Sequence, residues 1–217
     1  VRAQKRLGAQ PPHEFLELGH LLDELRLFKS KGEIALMRRS AEIAAEAQVA
    51  AMLATKGARF EYEVEAALQH VYRRNNAVAS YEPIVGSGAN ACVLHYRANH
   101  APVRKGDLLL CDAGAEYGFY ASDITRTWPT NGRFSKAQRE LYDIVLLAQT
   151  ECIRNAVVGA AYDVIHQTAV EVMTDGLLSL GLLACGVRGV GGGSGGSTVA
   201  PGTVSFAVSD APVEGLS

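Results

Sequence analysis

Two aspartates carry the strongest chemical signal in this chain. Asp112 and Asp123 lie in the segment 107–127, DLLLCDAGAEYGFYASDITRT, where β-like residues flank a turn at Tyr117-Gly118. If those two residues form a hairpin loop, residues whose numbers sum to 235 face each other, and the two aspartates satisfy that sum. Directly opposed side chains leave the same face of the ribbon about 5 Å apart, and like charges so placed repel unless something neutralises them. One or two divalent cations would do so, because two-metal hydrolytic sites hold their ions about 3.5–4 Å apart, within the span of facing carboxylates. The plain alternative is that one or both aspartates face solvent or cap turns. Against it, Asp112 interrupts the apolar run Leu108–Cys111, and Thr125 follows Asp123 on the same face, able to donate to a ligating carboxylate. His95, in a β-like piece from Cys92 to Tyr96, is either a donor to a substrate oxygen or a satisfied interior imidazole. His13, His20, His70, His100 and His166 have no partner at metal-ligand spacing.

The elements that position these residues read as two helices, several strands and two more helices. Ser30-Lys-Gly-Glu33 and Ser135-Lys-Ala-Gln138 are capping boxes, in which the serine hydroxyl takes a backbone N–H three residues on and the Glu or Gln reaches back. The first opens a helix to about Gly57 with Ile34, Met37, Ala41, Ala44, Gln48 and Ala51 or Met52 inward. A second helix covers Glu61 to Arg74, with Val64, Leu68, Val71 and Tyr72 inward. Short strands follow at 80–85, 92–96, 107–114 and 118–128. The Ser135 box opens a helix through Tyr142, Val145, Leu146 and Ile153 to about Val158, and a last helix runs from Tyr162 to about Leu183.

Composition narrows the function. The 217 residues are 48% hydrophobic and 20% charged, enough apolar material for a packed core. Twenty-one Lys and Arg against 23 Asp and Glu give a net charge of −2, too balanced for a grip on a phosphate backbone, so no nucleic-acid partner is expected. The apolar run from Leu177 to Val187 is too short for a bilayer span, and no secretory signal pattern follows the basic start. Four scattered cysteines suit free thiols in a reducing, cytoplasmic setting. Residues 185–217 break with the rest: nine glycines, three charges and the run GGGSGGS, a coil-forming composition without the lysine of a phosphate loop.

Taken together, Leu27-Phe28-Lys29-Ser30, the run SYEPIVGSGAN at 80–90, Leu94-His95-Tyr96, Cys111-Asp-Ala-Gly114 and Ser122-Asp-Ile-Thr-Arg-Thr127 resemble the bacterial Xaa-Pro aminopeptidases, pita-bread metallopeptidases of family M24, from about residue 11 to about residue 183. The resemblance implies an α+β pita-bread fold, complete in its first half and incomplete in its second. It implies hydrolysis of the bond before a proline in second position, by a hydroxide bridging two Mn²⁺-like ions. Asp112 would chelate one ion and Asp123 bridge both; His95 would bind substrate and stabilise the transition state, with Tyr81 beside the site.

The family's three further ligands, a His and two Glu, come from patterns like His-Gly-x-Ser-His and Glu-Pro-Gly, and neither pattern follows Asp123 here. The expectation is therefore a chain truncated at both ends and inactive. Residues 1–27 would connect to an absent N-terminal domain, 28–184 form a partial catalytic domain, and 185–217 arise from a change of reading frame after Leu183. An uncovered sheet edge would then invite self-association. The alternative function is a catalytically silent pita-bread module that binds a macromolecule. A metal-independent hydrolase like creatinase is disfavoured by the retained aspartates.

Overall fold

The computed structural model describes residues 17–183. The frame-change expectation for 185–217 and most of the connector therefore lie outside the described residues. Elements run α1 (Leu18–Leu27), α2 (Lys31–Thr55), α3 (Glu61–Arg74), β1 (Val78–Ala79), β2 (Ile84–Ser87), a 3₁₀ turn (Gly88–Cys92), β3 (Leu108–Ala113), β4 (Ala115–Tyr117), β5 (Tyr120–Ala121), β6 (Ile124–Pro129), α4 (Lys136–Asn155) and α5 (Tyr162–Ser179). No helix among them is long and apolar enough to cross a membrane.

Both capping boxes form as the sequence predicts. Glu33 N–H donates to Ser30 Oγ at 3.3 Å while Ser30 N–H donates to the Glu33 carboxylate at 2.6 Å, and Ser135 and Gln138 repeat the pattern. Each box is worth about 1 kcal/mol to its helix. The buried face of α2 keeps Ala44, Gln48 and Ala51 of the expected periodic residues and departs from the others. Ser40, Ile43, Ala44, Ala47, Gln48, Ala51 and Thr55 are buried, whereas Ile34, Met37, Ala41 and Met52 are exposed. The helix has two apolar stripes, and the smaller side chains win because they admit α3 and the sheet at close range. On α3 the expected Val64, Leu68, Val71 and Tyr72 are buried.

Strands β2-β3-β6 form one antiparallel sheet and β1-β4-β5 a second. Leu109, Cys111 and Ala113 point from β3 into the core against α2 and α3 with no residual exposure. The alternate residues Leu108, Leu110 and Asp112 lie on the opposite, half-open face. The expected strand at Cys92–Tyr96 is absent. That stretch is the end of the 3₁₀ turn followed by a bend, and the expected 118–128 strand is broken into β5 and β6.

Helices α4 and α5 pack on each other, Gly176 lying so close to Ile144 that any side chain there would collide with it. Among the described residues Ala148 is the one buried residue of α4, and α5 has none. Of the apolar residues that mark this helix in the sequence, Tyr142 is half-buried, while Val145, Leu146 and Ile153 are 55%, 42% and 67% exposed.

Candidate metal centre

The site begins with one phenol. Tyr81 Oη lies 2.5 Å from Asp112 Oδ1 and 2.8 Å from Asp123 Oδ1, so a single atom bridges the two carboxylates. Burial, and then these two contacts, push the Tyr81 hydroxyl far above the ordinary phenol range, so it keeps its proton. One proton satisfies one carboxylate. The other carboxylate meets the phenol oxygen with no hydrogen between them, and the cluster is left rich in negative charge.

The register that creates this cluster is not the expected one. Asp112 pairs with Thr125 and Tyr117 with Tyr120, so paired numbers sum to 237 and the hairpin loop is Gly118-Phe119. Both loop residues have positive φ, 58° and 68°, as a two-residue primed turn requires. The register differs by two, which is one full side-chain period, so Asp112 and Asp123 still share a face but sit diagonally.

The ribbon breaks at Gly114 opposite Ser122-Asp123. A Cβ on Gly114 would lie 1.7 Å from the Ser122 carbonyl oxygen, so no larger residue fits. Into the break come Ser80, whose N–H donates to the Gly114 carbonyl and whose hydroxyl donates to the Ser122 carbonyl, and Ser40, whose hydroxyl donates to the Ala115 carbonyl. Gln48 Nε2 donates to the carbonyls of Cys111 and Ile124, the neighbours of the two aspartates, and so ties their strands together from the core side. These polar residues do for the broken ladder what strand pairing does elsewhere.

The other predicted residues are placed less centrally. Thr125 is opposite Asp112 on the open face, but its side chain lines a cleft of about 550 Å³ beneath α4. His95 is in no strand. It is exposed, at φ 54°, beyond the 3₁₀ turn, and makes no hydrogen bond to Tyr81, Asp112 or Asp123. Two contributors escape a reading by pattern. Ser40 resembles any small polar helix residue, and Glu61, fully buried at the start of α3, resembles a first-turn acid facing solvent. The one signal for Glu61 is Asn90 and Tyr96 downstream, and nothing local joins them to it.

Oxygen donors converging with surplus negative charge suit a hard divalent cation in kind. They suit it in number only in part, since among the described residues no three His, Cys, Asp or Glu side chains gather into a metal-holding group. The profile of metallopeptidase family M24 matches residues 35–207. The chain belongs to metallopeptidase family M24.

Within that family it is 44% identical over 171 residues to the Xaa-Pro aminopeptidase of Haemophilus influenzae, covering 78% of this chain and 40% of the relative. It is 43% identical over 184 residues to the Xaa-Pro aminopeptidase of Escherichia coli, covering 84% and 42%. Among solved structures, aminopeptidase PepP of Pseudomonas aeruginosa aligns with TM-score 0.79 at 45% identity, over 86% of this chain and 42% of that one. A substrate complex of E. coli aminopeptidase P aligns with TM-score 0.80 at 43% identity, over the same shares. The M24 chain thus spans about two fifths of the length of these relatives, and over that share it has their α+β pita-bread fold.

Proposed function

We propose that this M24 chain carries the aspartate half of an Xaa-Pro aminopeptidase-type centre, with Asp112 and Asp123 as ligands of two divalent ions, Mn²⁺ first among them. The single observation that carries the reading is the convergence of both carboxylates on the Tyr81 hydroxyl. When bound, such ions lower the pKa of a water and polarise a peptide carbonyl. The chain's own residues hold and orient. The carboxylates supply the negative field, Tyr81 keeps a proton at Oη and fixes the carboxylate planes, and Thr125 steadies the strand opposite Asp112. His95 offers a ring N–H to a peptide whose second residue is proline.

Two carboxylates fill only part of the coordination of two ions, so by itself this chain binds them weakly and turns over little or no substrate. The free thiols of Cys92, Cys111 and Cys152 support a reducing, cytoplasmic location. The position of β6 at the edge of its sheet among the described residues, and the exposed apolar residues of α4, support self-association.

Calorimetry with Mn²⁺ and an assay on an Xaa-Pro-Xaa tripeptide test the reading. The expected result is weak uptake that is lost in Asp112→Asn, without turnover. Tight two-ion uptake with turnover overturns the inactivity, and uptake indifferent to Asp112→Asn overturns the site. Stoichiometric capture of a macromolecule with no metal response would favour the silent binding module.

A further inference from the structure

The segment 87–101 starts on the last residue of β2 and contains His95 but no further strand, and it includes three residues in the left-handed region: Gly88 at φ 59°, His95 at 54° and Asn99 at 46°. Such a stretch has few backbone bonds of its own to hold one conformation, and something outside it must do so.

We propose that Glu61 is the positioning residue that fixes this loop, and through it the placement of His95. Its side chain is fully buried, and all four of its hydrogen bonds come from the loop. Oε1 accepts from the Ser87 backbone N–H at 2.8 Å and from Asn90 Nδ2 at 3.1 Å. Oε2 accepts from the Tyr96 hydroxyl at 2.8 Å and from the Ala101 backbone N–H at 2.9 Å. The arrangement clamps both ends of the loop and its middle. Asn90 also donates to the Tyr96 hydroxyl, so residues five before and one after His95 converge on one carboxylate. His95 is left at the outer apex of a closed arc.

The reverse contact completes the zip: Glu61 N–H donates to the Ala101 carbonyl, and Val103 N–H to the Arg59 carbonyl. One helical turn on, Glu65 repeats the device through Asn99, whose Nδ2 donates to Glu65 Oε2 and to the Pro83 carbonyl while its Oδ1 accepts from Val85 N–H. Acceptance is required of both Glu61 oxygens, because each faces a backbone N–H that can only donate. A glutamine there puts an –NH₂ against one of those N–H groups whichever way it turns. The carboxylate also sits at the N-terminus of α3, where the helix dipole favours negative charge and makes a partner cation unnecessary.

The consequence for peptide binding rests on the Xaa-Pro reading, whereas the loop geometry does not. The test is amide hydrogen exchange together with the His95 imidazole NMR resonances in the full chain, for the parent, Glu61→Gln and Tyr96→Phe. Expected for Glu61→Gln is exchange on the order of 10- to 100-fold faster at Ser87 and Ala101, with Leu109 and Cys111 in β3 unchanged and the His95 resonances displaced. Tyr96→Phe removes one donor and leaves both backbone bonds, so it displaces His95 with a rise in loop exchange of only a few-fold. It decides the matter if Glu61→Gln does not fold.

Loop and β3 exchange rising together, or His95 resonances unmoved in both variants, would overturn the proposal, because Glu61 would then be a fold-stabilising group only. Titration of the parent with an Xaa-Pro dipeptide in Mn²⁺ reads the functional assignment separately. Absence of any His95 response there sinks the substrate role and leaves the clamp standing.

Discussion

Helices α2 and α4 start from the same local instruction and end in different surroundings. Each opens with a serine capping box and each is followed by an antiparallel helix. Yet α2 buries seven residues while α4 buries one. The difference is the sheet: α2 and α3 close over the inner face of β3, whereas α4 meets the outer face only along a cleft lined by Leu108, Thr127, Leu141 and Val145. Capping and periodicity make a helix; only a complementary surface makes it part of a core.

Core truncation should separate the two regions most sharply. Leu109→Ala, in β3 beneath α2, is expected to cost about 2–5 kcal/mol in urea unfolding, and Leu147→Ala on α4 within about 0.5 kcal/mol. Equal losses would mean that α4 is covered in solution, and the Leu147 effect would then depend on protein concentration. Next in size is Tyr81→Phe. Without divalent ions it leaves two facing carboxylates with no phenolic proton and should cost about 1.5 kcal/mol, the low end for a bond to a charged group, since Asp123 is exposed. Saturating Mn²⁺ should shrink that difference, and a penalty indifferent to Mn²⁺ would argue that the carboxylates do not receive the ion.

Acid sensitivity distinguishes the two capping boxes. The Tyr120 hydroxyl, then the Ser30 backbone N–H, hold the Glu33 carboxyl at about 2, below its ordinary 4.5. A carboxyl depressed on folding stabilises the protein above its unfolded pKa, and that contribution is lost as pH falls from about 4.5 through 2. The parent should therefore lose stability across that window more steeply than Glu33→Gln. The α4 box, with Gln138 in place of the glutamate, contributes no such slope, and Gln138→Ala should leave the pH profile unchanged. The smallest effect belongs to the exposed Arg139–Asp143 pair on α4, at 2.8 Å. Arg139→Ala should cost the least of these changes, and less still in high salt. A larger value would again point to a covered α4.

Much of the site was legible because its signals are local. Asp112 announces itself by interrupting an apolar strand, and the two-residue side-chain period keeps Asp123 on its face even though the loop is Gly118-Phe119 rather than Tyr117-Gly118. Tyr81 was reachable only through resemblance, since no spacing rule links it to residues 31 and 42 positions away. Val93-Leu94-His95-Tyr96 reads as a strand from its β-like composition, whereas His95 has a left-handed φ of 54° and the buried carboxylate that accepts from Tyr96 lies on another element.

The sequence alone determined the starts of α2, α3, α4 and α5 but not that of α1, together with the core face of α3, the aspartate pair and the family, since each of these depends on neighbours within a turn or a hairpin, or on a continuous motif. The tertiary structure decided which stripe of α2 is buried, how the strands align at Gly114, that one phenol joins both carboxylates, and that Glu61 faces a loop instead of water. Those outcomes depend on contacts between residues tens of positions apart. Their strength comes from excluding solvent around paired polar groups, which no local pattern encodes.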